Sequence, residues 1–171
     1  RRMLQQLTTT IIRRIVTINP TGYPLPSLGR AEGESPTINQ AMTIKQVSVF
    51  LENRTGRINE VTKILSRHDI NMHAFSMAET PDFGILRLIV SDVDKAVEIL
   101  RNADFAVMLT DVIHLNCPNK AGALGEILEH LATADVAIEY MYAFAEGDMA
   151  NIVVRPSDIE RCEQALAAIS E

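Results

Sequence analysis

Residues 45–52, KQVSVFLE, alternate polar and apolar side chains, with Val47, Val49 and Leu51 in step. That period of two predicts a half-buried β-strand. From Gly56 the period changes, and Ile58, Val61, Ile64 and Leu65 fall on one stripe of a helix. INMHAFSMAE (70–79) and ILRLIV (85–90) read as strands, joined by a turn at PDFG (81–84). Ser91 and Asp92 then supply a helix cap, and Val93, Ala96, Val97 and Leu100 the inward stripe of a second helix. FAVML (105–109) completes the unit as a fourth strand. The order βαββαβ is that of a ferredoxin-like fold.

The pattern then recurs. Gly56 and Gly122 are 66 residues apart, and at that offset, without a gap, Asn53 matches Asn119, Glu60 matches Glu126 and Leu65 matches Leu131. Asp69 matches Asp135, Ser91–Asp92 matches Ser157–Asp158, and Leu100 matches Leu166. An ungapped register through both helices identifies an internal duplication, and two copies make paired domains rather than a solenoid. The second copy is predicted as strand 111–117, helix 122–134, strands 136–145 and 149–155, and helix 158–169. The partner of FAVML would begin near residue 171, where the sequence ends. Either that strand is lost or the sequence is a fragment, and strand 111–117 is expected to lie as an exposed edge. The expected fold class is therefore α+β: two ferredoxin-like βαββαβ units in tandem, 42–109 and 110–171, the second lacking its last strand.

Residues 1–41 differ from all that follows. Pro20, Pro24, Pro26 and Pro36 interrupt any long element, and five Arg against two Glu give a balance of +3. The Arg-rich start superficially resembles a transit peptide. The first residue is not Met, and Met42 opens the patterned region, so translation upstream of the true start or an expression leader is the preferred reading. This segment is expected to be a disordered N-terminal extension, with IIRRIVTI (11–18) β-prone enough to add to an open sheet edge.

The remainder carries −9, within a net charge of −6 for the whole chain of 171 residues. An acidic body is a poor match to a phosphate backbone, so no nucleic-acid partner is expected. No apolar run approaches the roughly 20 residues a spanning helix needs, so no membrane partner is expected either. Cys117 and Cys162 form neither a CxxC nor a disulfide framework; Cys162 falls on an apolar helix face, as a small core residue would. Reduced thiols and a cytoplasmic location follow as the default.

Chemistry-bearing motifs are sparse. There is no Ser/His/Asp or Cys/His arrangement, no Walker loop and no GxGxxG, and His68, His73, His114 and His130 have no metal-ligand spacing. Neither catalytic residues, nor a metal, nor a cofactor is expected, and the chain is read as a non-enzyme. In EYMYAF (139–144), Tyr140, Tyr142 and Phe144 fall on one face, and Glu139, Met141 and Ala143 on the other. Aromatic residues on such a sheet occur in RNA-recognition modules. The third strands lack the matching pattern, however, and the charge is wrong.

What remains is the strand-to-helix junction, ENRTG (52–56) and again NKAG (119–122). A helix N-terminus presents unpaired N–H groups, a natural seat for a carboxylate. Gly there lets a ligand approach the backbone, and Asn can both donate and accept. The plain alternative is that Gly is common at such junctions and Asn or Thr merely caps. Arg54, Arg57 and Lys120 read more readily as solvated surface than as ligand contacts.

A βαββαβ unit whose first strand runs into Asn-basic-x-Gly, with INM opening the second strand, resembles the ACT domain. The whole of 43–171 is similar to small bacterial tandem ACT proteins that carry no catalytic domain. ACT domains generally bind small ligands, most often amino acids, at domain interfaces, and thereby regulate enzymes or transcription. ENRTG is similar to the Asn-Arg-Pro-Gly loop of phosphoglycerate dehydrogenase ACT domains, where the Asn contacts an amino acid and a second Asn opens the second strand. This chain has Thr55 in place of Pro, and Leu51 and Cys117 where those enzymes carry His. Asn71 matches the second Asn, whereas Ala137 does not. The resemblance implies ligand contacts from Asn53, Arg54, Thr55, Gly56, Arg57, Ile58, Asn71 and Met72 in the first copy. In the second it implies Asn119, Lys120, Ala121, Gly122, Ala123 and Leu124. It further implies a non-catalytic sensor that binds an amino acid at the ACT interface, forms a homodimer through its ACT domains and regulates an enzyme of amino-acid metabolism. The competing reading is a protein-interaction module acting as a regulatory subunit of a metabolic enzyme.

Overall fold

The computed structural model describes residues 40–79 and 83–169. Of the expected extension 1–41, residues 1–39, with the β-prone stretch at 11–18, lie outside the described residues, as does the tip of the turn at 80–82, whereas Gln40 and Ala41 belong to the first strand. The element order is β1 (Gln40–Glu52), α1 (Arg57–Arg67), β2 (Met72–Glu79), β3 (Phe83–Val90), α2 (Val93–Asn102), β4 (Ala106–Pro118), α3 (Ala123–Thr133), β5 (Ile138–Glu146), β6 (Met149–Pro156) and α4 (Ile159–Ala167). The six strands form one sheet in the order β2-β3-β1-β4-β6-β5, antiparallel at every pairing. The α+β class and the repeated unit are as the sequence predicts.

The 66-residue register holds in three dimensions. β4 begins and ends 66 residues after β1, and α3 does the same after α1. Equivalent residues even share unusual backbone. Asp69 and Asp135 close α1 and α3 with φ of 58° and 57°, in the left-handed region that Asp tolerates better than most residues. Just beyond them, the N–H groups of Ile70 and Val136 each return 3.0 Å to the carbonyls of Leu65 and Leu131. These bonds take up carbonyls that a helix end would leave orphaned.

The expected exposed edge does not exist. The strand predicted at 105–109 and that predicted at 111–117 are one continuous strand, β4, which has neighbours on both sides. Residues 40–46 of β1 pair with 110–116 and occupy the place of the second copy's fourth strand. The first half of β4 fills the same place in the first copy, pairing 106–109 with 47–50. Each long strand thus serves both units.

Packing follows this exchange. Val47, Val49 and Leu51 join Val61, Leu65, Leu88 and Leu100 in the first core, with Val107 from the first half of β4 packed against them. Ile113, Leu115 and Cys117 join Ile127, Leu131, Ile152 and Leu166 in the second, with Ala41 from the start of β1 packed against it. Cys117 stands where the first copy has Leu51, and Cys162 where it has Ala96; both thiols are buried and free. Lys45 and Asp111 are equivalent positions that pair directly across the pseudo-twofold axis, with Nζ 2.6 Å from the carboxylate. A symmetric pair of identical strands would set like charges there.

The face away from the helices is curled. Arg87 on β3 lies 4.0 Å from the ring of Tyr140 on β5, although three strands separate the two. Strands spaced about 4.8 Å apart in a flat sheet would hold them roughly 19 Å from one another. Beneath them Gln46 is fully buried, donating 2.8 Å to the Tyr140 hydroxyl and accepting at 3.0 Å from that of Tyr142. A buried amide needs such partners. A bulge between Ile138 and Tyr140 also moves Glu139 from the face expected for it to a position 3.5 Å from Arg155.

Candidate functional site

The four helices begin in two ways. α2 and α4 start at Asp92 and Asp158, whose carboxylates accept from the N–H of Lys95 and Arg161 at 3.0 Å. α1 and α3 start instead at Gly56 and Gly122, with φ of 92° and 97° and no side-chain cap. Their first helical bonds are Glu60 N–H to Gly56 and Glu126 N–H to Gly122, at 2.9 and 3.0 Å. The N–H groups of Arg57 and Ala123 turn back to the carbonyls of Arg54 and Lys120 at 3.4 and 3.3 Å, and those of the next two residues of each helix have no helical acceptor, which leaves the positive end of each helix partly open. Among the described residues, and apart from the chain neighbours, nothing lies within 4 Å of a Cβ built on either glycine. Backbone conformation demands glycine here, and the space beside it is free.

The charges around the two junctions differ. At the first, Arg54 pairs with Glu52 and Arg57 with Glu60, while Arg57 also lies 3.7 Å from Glu52. Arg57 is not the solvated residue its charge suggests. Its guanidinium sits 4.3 Å over the ring of Phe105, and its Nε is buried without a hydrogen bond among the described residues. Thr55 and Ile58 are exposed beside it, Ile58 at 40%. At the second junction Ala123 replaces Arg57, and Lys120 makes no ion pair among the described residues. Ala121 is exposed and Leu124 packs against the second core. Asn119 reaches across to the β5–β6 turn, donating to the Gly147 carbonyl at 3.4 Å while its N–H donates to Asp148 at 2.8 Å. In the first copy the Asn53 Oδ1 lies 3.7 Å from where a Cβ on Gly84 would stand.

Asn71 and Met72 are not brought to either junction. Asn53 follows Glu52, which pairs with Phe83 at the start of β3. The N–H of Asn71 donates to Ser91 Oγ at 3.0 Å, just past the other end of β3. The 11-residue helix α1 rises between them, a span of about 16 Å. A cleft of about 720 Å³ runs along the second half of α1 to Asn71 and Met72, away from Gly56. Sequence reasoning missed a second concavity of about 380 Å³ on the curled face, whose lining includes Arg87. Its lining comes from strands far apart in sequence, and the period of any one strand does not show that they converge.

Among the described residues no three His, Cys, Asp or Glu side chains are grouped to hold a metal ion, and no helix is long and apolar enough to cross a membrane.

The crystal structure of protein BT0572 from Bacteroides thetaiotaomicron is similar, with 50% sequence identity and a TM-score of 0.73 over 75% of this chain and 89% of that one. The ligand-free regulatory subunit of aspartate kinase from Thermus thermophilus shares the fold at 12% identity and a TM-score of 0.57, over 81% of this chain and 100% of that one. The corresponding subunit from Thermus flavus aligns at 12% identity and 0.56, over 78% and 96%. No curated protein matches by sequence. The profile of the ACT domain pair matches residues 42–169, through both junctions and both cores, and the chain belongs to that family.

Proposed function

We propose that the chain is a non-catalytic sensor that binds an amino acid and regulates an enzyme of amino-acid metabolism. ACT domains are regulatory rather than catalytic, and two of the similar structures are regulatory subunits of aspartate kinase. The observation that carries the reading is the contrast among helix starts. Asp caps α2 and α4, while Gly56 and Gly122 leave α1 and α3 uncapped with open space beside them. An acidic cap would repel a carboxylate; a glycine start leaves N–H groups for it.

The distance between Asn53 and Asn71 adds a condition. One small ligand reaches both only if Asn71 comes from a second copy of the chain, so the complete first site is a homodimer site. Ligand binding then favours that assembly through its higher affinity for it, and the partner enzyme reads the shift. A thermal-shift panel of the twenty amino acids tests the reading. A true ligand at one hundred times its dissociation constant adds about 2.7 kcal/mol to stability. Asn71→Ala weakens binding by about 1–3 kcal/mol and leaves the fold intact, since Ala137 fills the equivalent place. A flat panel would favour the interaction-module reading instead.

A further inference from the structure

The concavity on the curled face has no residue in common with the junctions. Ser48 and Phe50 of β1, Ile85 and Arg87 of β3, and Met108 of β4 line it, with Glu139, Tyr140 and Arg155 from the second copy. Its two arginines differ. Arg155 is engaged, donating 2.9 Å to the Asp111 carbonyl and lying 3.5 Å from Glu139. Arg87 is half-buried against the Tyr140 ring, and makes no hydrogen bond or ion pair among the described residues. The ring satisfies the face of the guanidinium but not its in-plane N–H donors, whose fork matches a carboxylate. Ser48 lines the cavity as a residue only 2% exposed; its Oγ accepts from Gln46 at 3.2 Å, and its own O–H has no acceptor among the described residues. Phe50, Ile85 and Met108 give the same cavity apolar walls, and Glu139 adds a half-exposed carboxylate.

The duplication singles the cavity out. Core positions match across the copies, but the equivalents of Arg87, Tyr140, Ser48 and Glu139 are Val153, Ala74, His114 and His73. Only one half of the molecule carries this set. A volume of about 380 Å³ is at the small end for ligand pockets, which run from roughly 300 to 1,000 Å³. We infer that this cavity binds a small carboxylate with an apolar body, held by Arg87 and Ser48, independently of the glycine junctions.

Two probes with one carbon skeleton test this: isovalerate, and L-valine, which adds an α-ammonium. The readout is the amide ¹H–¹⁵N spectrum of the full chain during titration. Isovalerate is expected to shift the amides of Phe50, Ile85, Arg87 and Met108, and Arg87→Gln to weaken that response at least tenfold. Tighter binding of L-valine, lost in Glu139→Gln, would identify an amino acid as the natural class; equal binding would identify a simple carboxylate. The inference is overturned if neither probe moves those amides, if shifts are confined to Gly56 and Gly122, or if folded Arg87→Gln responds like the wild type. Should Arg87→Gln fail to fold, the wild-type map alone decides. Movement of the same amides on dilution, with no response to either probe, would mean that a second copy fills the cavity, and would overturn it as well. Both sites are resolved in one spectrum, so failure here leaves the junction proposal to its own test.

Discussion

Gly56 and Gly122 hold φ at 92° and 97°, and no described residue beyond their chain neighbours comes within 4 Å of an added Cβ. Gly122→Ala therefore costs about 1–2 kcal/mol through left-handed backbone strain and not through a clash. Urea unfolding checks this, and a neutral result would mean the turn relaxes. Gln46 is different, because its burial depends on two hydroxyls. Burial, and secondarily Tyr140, holds the Tyr142 hydroxyl well above the ordinary tyrosine range, against an opposing pull from Arg87. Tyr142→Phe leaves the Gln46 carbonyl oxygen without that donor and is expected to cost about 1–3 kcal/mol in the same assay. For Cys162, burial first and then Glu163 and Asp158 push the thiol up to about 11 from an ordinary 9.0. The unfolded chain gives up that proton at lower pH than the folded one, so stability falls as pH rises from about 9 to about 11. Cys162→Ala should flatten part of that decline and still fold, since Ala96 fills the matching place in the first core. An unchanged slope would assign the decline to other groups.

At the scale of elements, the apolar periods and the ungapped duplication made most of the fold legible. Most strands and helices lie within a residue or two of where Val47–Leu51, Ile58–Leu65 and their equivalents place them, but β1 starts at Gln40 rather than at 45, and the strands expected at 105–109 and 111–117 are one. What was not legible is non-local. The stretch 40–46 is only weakly patterned, and its role depends on β4 lying beside it. For the same reason an exposed edge was expected at 111–117, where β1 in fact pairs. Arg57 reads as a surface cation until Phe105 is placed under it, and Arg87 is unremarkable until the sheet curls Tyr140 onto it. At the junctions, the Asn-x-x-Gly spacing and the glycine requirement were readable; the separation of Asn53 from Asn71 follows from topology. The exchange of strands also yields a prediction. Compared with a chain beginning at Gln40, one beginning at Val47 loses the β4 pairing at 110–116 and the Ala41 contact with the second core. It should lose roughly 1 kcal/mol per broken ladder hydrogen bond and self-associate through the bared edge. Equal melting temperatures and a monomeric sedimentation profile for both would show that the pairing contributes nothing.

Across the whole molecule, duplication has produced one sheet with two equivalent cores and two inequivalent ends. Lys45 and Asp111, equivalent in sequence, oppose each other at the pseudo-twofold axis at 2.6 Å. Their side chains are 57% and 43% exposed, so the pair is worth at most about 1 kcal/mol. Its larger effect is on partner choice, because β1 against β1 of another chain would oppose two lysines, and β4 against β4 two aspartates. The junctions have diverged too. The first carries a closed network of Arg54, Arg57, Glu52 and Glu60, and the second Lys120, which makes no ion pair among the described residues. The most direct test of an amino-acid sensor is calorimetric titration of the full chain with the ligand selected by the panel. Wild type, Gly56→Ala and Gly122→Ala would be compared, because each variant puts a methyl group where the carboxylate approaches the helix start. The account predicts saturable binding by the wild type and a loss of at least tenfold in one or both variants. Wild-type affinity in both, or no binding of any amino acid to the wild type, would contradict it.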